Sequence, residues 1–76
     1  MKEFLEYLVR LIVDNPKEVT IEETTLGEKS FQYTIKANPE DMGKIIGKGG
    51  KIIQAIRSVA KIVAIKQDIQ IRIEVV

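Results

Sequence analysis

The sequence predicts an α+β two-layer sandwich whose elements run α-β-β-α-α-β through a single domain, residues 1–76. Three observations predict it. Three segments alternate apolar and polar residues at the period of a strand. Three others repeat apolar residues at the period of a helix. Asn15-Pro16, Asn38-Pro39 and the glycines at 47, 49 and 50 punctuate them.

The first helix is expected over residues 2–14, because Phe4, Leu5, Leu8, Val9, Leu11, Ile12 and Val13 recur without an internal Gly or Pro. Asn15-Pro16 ends it, since the residue before a proline is pushed out of the helical region. At helical spacing the apolar side chains cover roughly 240°, which is wider than one sheet face needs. Tyr7, Val9 and Val13 sit at the edges of that arc, so the helix is either plain core on two sides or a surface for a partner chain. Val19 to Thr25 alternates and is β-branched; Leu26-Gly27-Glu28-Lys29 reads as a turn; Ser30 to Ala37 reads as the returning strand of a hairpin, with Phe31, Tyr33 and Ile35 as core residues. Asn38 caps the next helix, Pro39 suits its first position, and Glu40 and Asp41 face the positive end of its dipole. That helix runs to about Ile46. Another follows from about Gly50 to Ile65, with Ile52, Ile53, Ile56, Val59, Ala60 and Val63 as its apolar face. After Lys66-Gln67, the stretch Asp68 to Val75 alternates strictly, with Ile69, Ile71, Ile73 and Val75 inward.

A chain of 76 residues buries only about 60% of the surface its unfolded form exposes, so its core is modest. No cysteine is present to brace it, and no histidine to ligate a metal or activate Ser30 or Ser58 as a nucleophile. An enzyme and a metal site are therefore not expected, and no cofactor is. The longest uncharged apolar run, Ile62-Val63-Ala64-Ile65, is far short of a membrane span, so a cytoplasmic protein is expected.

The net charge of +1 conceals a segregation. Residues 1–41 carry nine acids and five bases, whereas residues 42–67 carry Lys44, Lys48, Lys51, Arg57, Lys61, Lys66 and no acid. Either this stretch faces an anion or it is an ordinary solvated helix face. The segment Ile45-Ile46-Gly47-Lys48-Gly49-Gly50-Lys51-Ile52-Ile53 favours the anion. Its glycines let a ligand approach the backbone, a helix N-terminus offers free N–H groups, and Lys48 and Lys51 add charge. The flanking isoleucines can floor a groove on which bases lie. Other phosphate loops do not fit. Gly43 and Gly47 are too close for the nucleoside-triphosphate loop, Gly49 stands where that loop needs Ser or Thr, and Ile52 stands where the dinucleotide fingerprint needs Gly.

The segment resembles the signature of the KH family, in which Val/Ile-Ile-Gly-x-x-Gly-x-x-Ile joins two helices. Ile45, Ile46, Gly47, Gly50 and Ile53 fill the fixed places, and Lys48 and Gly49 the free ones. The element order is similar to the type II arrangement, a three-stranded mixed sheet covered by three helices on one face. The short length and the Asn15-Pro16 stop are similar to the stand-alone small bacterial KH proteins of the KhpA type.

The resemblance implies that the loop clamps about four nucleotides of single-stranded RNA. Phosphates would meet Gly47, Lys48, Gly49 and Gly50, with Lys44, Lys51 and Arg57 adding charge. Bases would lie along Ile45, Ile46, Ile53 and the last strand at Ile71 and Arg72. Arg57 and Lys61 either extend the phosphate track or are simply solvated. Residues 42–76 hold no aromatic ring for stacking, so weak, sequence-tolerant binding is expected. An RNA chaperone or post-transcriptional regulator is the implied role. Two alternatives stay open: an interaction subunit that pairs with itself or with a larger KH-containing protein, and a binder of single-stranded DNA.

Overall fold

A computed structural model describes residues 1–75, and side-chain surroundings for all of these but Lys48. Helix α1 (Lys2–Ile12) leads to the hairpin β1 (Thr20–Gly27) and β2 (Ser30–Lys36); α2 (Pro39–Ile46), α3 (Lys51–Lys66) and β3 (Gln70–Val75) follow. The strands lie in the order β1-β2-β3, with β1 antiparallel and β3 parallel to β2. The expected α+β sandwich, mixed sheet and element order are all present. The parallel pair is possible because the two helices between β2 and β3 supply the long crossover that it requires.

The inward residues of β2 and β3 pair across the ladder, Phe31 with Ile71, Tyr33 with Ile73 and Ile35 with Val75. Ile21, Tyr33, Ile35 and Ile73 meet Leu5 and Val9 of α1, Met42 and Ile45 of α2, and Ile53, Ile56 and Ala60 of α3 in one apolar cluster. Burying Tyr33 leaves its hydroxyl needing a partner, and it donates to Glu23 Oε1 at 2.7 Å. The side chain of Asn38 accepts from Glu40 N at 2.9 Å, so the expected cap of α2 is made. No helix among the described residues is long and apolar enough to cross a membrane.

The details correct the sequence reading in three places. Helix α1 stops at Ile12, not Asp14, because Val13 turns extended and buries its side chain. The chain then makes a short 3-10 turn at Pro16–Glu18. Of the wide apolar arc, Val9 and Val13 are plain core, as one of the two expected readings had it, while Tyr7 and Leu11 are exposed. Strand β1 continues through Gly27 by way of a bulge at Leu26, so the reversal is only Glu28-Lys29. The buried face of α3 is Ile53, Ile56, Ala60 and Ala64; Val59 is exposed, and Ile52 and Val63 are half-buried.

Asp41 was expected only to face the helix dipole, yet it is 1% exposed, the one charged residue in the core among the described residues. Its Oδ1 accepts from Asp14 N at 3.1 Å, and its Oδ2 accepts from Asn15 N at 3.0 Å and Asn15 Nδ2 at 3.1 Å. A buried carboxylate is tolerated only when its oxygens are satisfied in this way. It latches the end of α1 to the start of α2.

Candidate nucleic-acid interface

Gly47 ends α2 with φ −38° and ψ −165°. A methyl group built on it would stand 2.7 Å from the carbonyl oxygen of Gly43, so the last turn of α2 admits only glycine here without moving. Lys48–Gly50 form a single 3-10 turn, closed by a hydrogen bond from Gly50 N to Gly47 O at 2.6 Å. Gly49 and Gly50 both take the left-handed conformation, at φ 71° and 64°. Two such residues in succession strongly favour glycine. They turn the chain directly into the first turn of α3, where no side chain among the described residues caps the free N–H groups. The loop therefore offers bare backbone donors at the positive end of a helix of 16 residues. The expected contact through the Lys48 side chain lies outside the described residues.

Two open hollows adjoin the helices that carry this loop. The first, of about 640 Å³, runs between α3 and β3, with Arg57, Lys61 and Ile65 on one side and Ile69, Ile71 and Arg72 on the other. Arg57 Nη2 donates to the carbonyl of Ile73 at 3.0 Å, which ties its guanidinium across to β3. The head of Arg72 lies 3.8 Å from Glu74 and is otherwise exposed. The second hollow, of about 590 Å³, is lined by Ile12, Glu40, Gly43, Lys44, Gly47, Lys51 and Ile52. At about 100° per residue, Ile52 leaves α3 roughly opposite Arg57 and Lys61, while Lys51 lies between the two hollows, about 80° from Lys61.

Lys44 Nζ donates to Asp14 Oδ2. That bond holds the ammonium pKa above its usual value; partial desolvation opposes it, and the charges of Asp14, Asp41 and Glu40 add to it. For Asp41, burial pulls the carboxyl upward, but the hydrogen bonds from Asp14 and Asn15 and the charge of Lys44 outweigh it, leaving its pKa below the usual value.

The structure thus groups Lys44, Gly47 and Lys51 at one hollow, and Arg57, Ile71 and Arg72 at the other. Two expected groove residues are corrected. Ile45 is 0% exposed and Ile53 is 6% exposed, so both support the loop from within the core and present no surface to a base. Apolar surface near the loop and the α3–β3 hollow is left by Ile46, 47% exposed, together with Ile65 and the half-buried Ile69, Ile71 and Ile52. Sequence reasoning missed Gly43, Asp14 and Ile12. Gly43 carried a signal, since a glycine four residues before Gly47 shares its helix face. Asp14 and Ile12 carried none, because their approach to α2 is a matter of tertiary packing.

The family model described as KhpA/KhpB, KH domain, matches residues 2–75. "RNA-binding protein KhpA" of Clostridium perfringens is 45% identical over 76 residues, covering 100% of both chains. The protein of that name from Clostridium acetobutylicum is also 45% identical with the same coverage, and that from Listeria monocytogenes is 40% identical over 78 residues, covering 100% of this chain and 99% of its own. No solved structure matches the chain. These relatives are bacterial and are named for binding RNA, not for catalysis, in line with the expected non-catalytic class. Whole-length similarity, the nine-residue signature at the α2–α3 junction and the α-β-β-α-α-β order converge: the chain belongs to the KhpA/KhpB family of KH-domain proteins.

Proposed function

We propose that this chain is a single cytoplasmic KH domain that grips single-stranded RNA over about four nucleotides. It acts without catalysis, as an RNA chaperone or post-transcriptional regulator. The observation that carries the reading is the loop itself: Gly49 and Gly50 at positive φ expose backbone N–H groups at an uncapped helix start. Phosphates of the RNA meet Gly47 to Gly50 with help from Lys44, Lys48 and Lys51. Bases lie against Ile46 and along the α3–β3 hollow, where Ile71 and Arg72 form one wall and Arg57 braces the other. The naming of the relatives supports RNA as the ligand class.

A second function coexists with the first. Tyr7 and Leu11 on α1, and Ile62 and Ile65 on α3, are large, apolar and exposed. They favour contact with another protein, either a second copy or a larger KH-containing chain.

The test is a titration of labelled single-stranded RNA and DNA with the parent protein and a Lys48→Asp, Gly49→Asp double variant whose fold is checked by circular dichroism. The parent should bind RNA, and its affinity should fall with salt at a slope of roughly −0.7 per neutralised phosphate. The folded double variant should bind far more weakly. Equal binding by the two proteins would remove the loop from the site, and tighter binding of DNA would change the ligand class.

A further inference from the structure

Lys44 belongs to the base-only stretch, yet its ammonium is not free. It points at the carboxylate of Asp14, a residue 30 positions earlier in the chain. Two features make this contact more than a chance meeting of surface charges. First, the backbone of Asp14 is pinned, because its N–H donates to the buried Asp41 at 3.1 Å and its neighbour Asn15 donates to the same carboxylate twice. The Asp14 side chain therefore starts from a fixed point beside α2. Second, Lys44 lines the hollow that also holds Gly43, Gly47 and Lys51, so the ammonium that Asp14 engages belongs to that site. Both side chains of the pair remain largely solvated, at 51% and 71% exposure. An exposed ion pair contributes little net stability, so its partners exchange readily.

A carboxylate and a phosphate offer a lysine the same thing, an anionic oxygen acceptor. Resting on the RNA-binding reading above, we infer that Asp14 is a built-in competitor for Lys44: it holds the ammonium where an RNA phosphate would otherwise sit, and RNA binds by displacing it. Three acids face Lys44, namely Asp14, Asp41 and Glu40. The oxygens of Asp41 are committed to backbone and amide donors, and Glu40 makes no ion pair among the described residues, whereas Asp14 pairs with Lys44 directly, so Asp14 is the one that exchanges. The device weakens binding to any anion and makes a correctly seated phosphate a condition for releasing Lys44.

The experiment is a double-mutant cycle on RNA affinity with Asp14→Asn, Lys44→Gln and the pair, read by fluorescence anisotropy on a short single-stranded RNA at two salt concentrations. Asparagine keeps the shape of Asp14 and the backbone N–H that Asp41 accepts, and thermal melts check that each variant is folded. Asp14→Asn should bind roughly two- to fivefold more tightly at low salt. Its salt slope should change by less than about 0.7, the slope of one phosphate, because the freed lysine meets the same phosphate in both complexes. In the Lys44→Gln background, Asp14→Asn should change affinity little, because the coupling runs through that lysine. An equal gain in both backgrounds would make Asp14 a diffuse charge effect and overturn the inference, as would no gain in either. If the parent binds RNA and the loop variant does not, but Asp14→Asn is silent, only this inference falls. If no protein binds RNA, the functional reading falls with it.

Discussion

Two glycines on one helix face, four residues apart, should respond to alanine in opposite ways. Gly43 lies within α2, and a methyl group built on it meets nothing within 4 Å. Alanine there removes the entropic cost of a helical glycine at no steric cost, a gain of about 0.5–1 kcal/mol. For a domain of this size each kcal/mol moves Tm by about 4–8 °C, so Gly43→Ala should raise Tm by about 2–8 °C. A methyl group on Gly47 would stand 2.7 Å from Gly43 O and 3.3 Å from Lys44 O, both backbone atoms that cannot rotate away. The last turn of α2 or the loop must shift, and overpacking of this kind costs about 1–3 kcal/mol. Gly47→Ala should therefore lower Tm by at least about 4 °C. Thermal melts followed by circular dichroism measure both. A Gly47→Ala protein as stable as the parent, or a Gly43→Ala protein less stable than it, would refute the steric argument. RNA titration adds a second reading. Gly43 lines the hollow beside Lys44 and Lys51, so its methyl group stands in the path proposed for the phosphates. Gly43→Ala should then be more stable and yet bind RNA less tightly.

Further outcomes concern the two polar groups that the core encloses. The Asp41 pKa is lowered on folding, so its contribution is fully present above the ordinary carboxylate value of about 4 and is lost as pH falls through the folded value. In melts between neutral and acid pH, the stability gap between the parent and Asp41→Asn should be widest at neutral pH and should close below about pH 4; a gap independent of pH would contradict the latch. Tyr33→Phe removes the 2.7 Å bond to Glu23 and should cost about 1 kcal/mol, read as a fall in Tm or in the denaturation midpoint. Burial, and then Glu23, push the Tyr33 phenol above its usual value, so the fold favours the neutral form. Stability of the parent should therefore decline once pH passes about 10, and that decline should be smaller in Tyr33→Phe.

The order of elements was legible because it rests on local physics. Alternation reveals β3 from Ile69 to Val75, an Asn-Pro pair starts α2, and three clustered glycines break the chain between α2 and α3 whatever surrounds them. The loop chemistry was legible for the same reason, since positive φ at Gly49 and Gly50 is a property of those residues in that turn. That the sheet is mixed came only with the resemblance, and the pairing of β3 alongside β2 only with the structure, because a strand's alternation does not say which neighbour it joins or in which direction.

The buried face of α3 was not legible. Apolar residues cover most of that helix, so periodicity set Val59 and Val63 beside Ala60 on the inward face and left out Ala64; tertiary packing buried both alanines and left Val59 exposed. The same holds for Ile45 and Ile53, whose signature positions suggested a ligand surface until packing enclosed them. Asp41, Asp14 and Lys44 show the limit most clearly. In sequence Lys44 reads as a charge for phosphates, Asp41 as a partner of the helix dipole and Asp14 as a surface acid. Only the meeting of the end of α1 with α2 makes one of them a buried latch and pairs the other two with each other. Sequence by itself determined which segments form which elements and where the glycine loop falls, because those depend on neighbours within a turn or two. Tertiary structure decided which residues of that segment face the core, the solvent or a ligand, because that depends on contacts between residues distant in the chain.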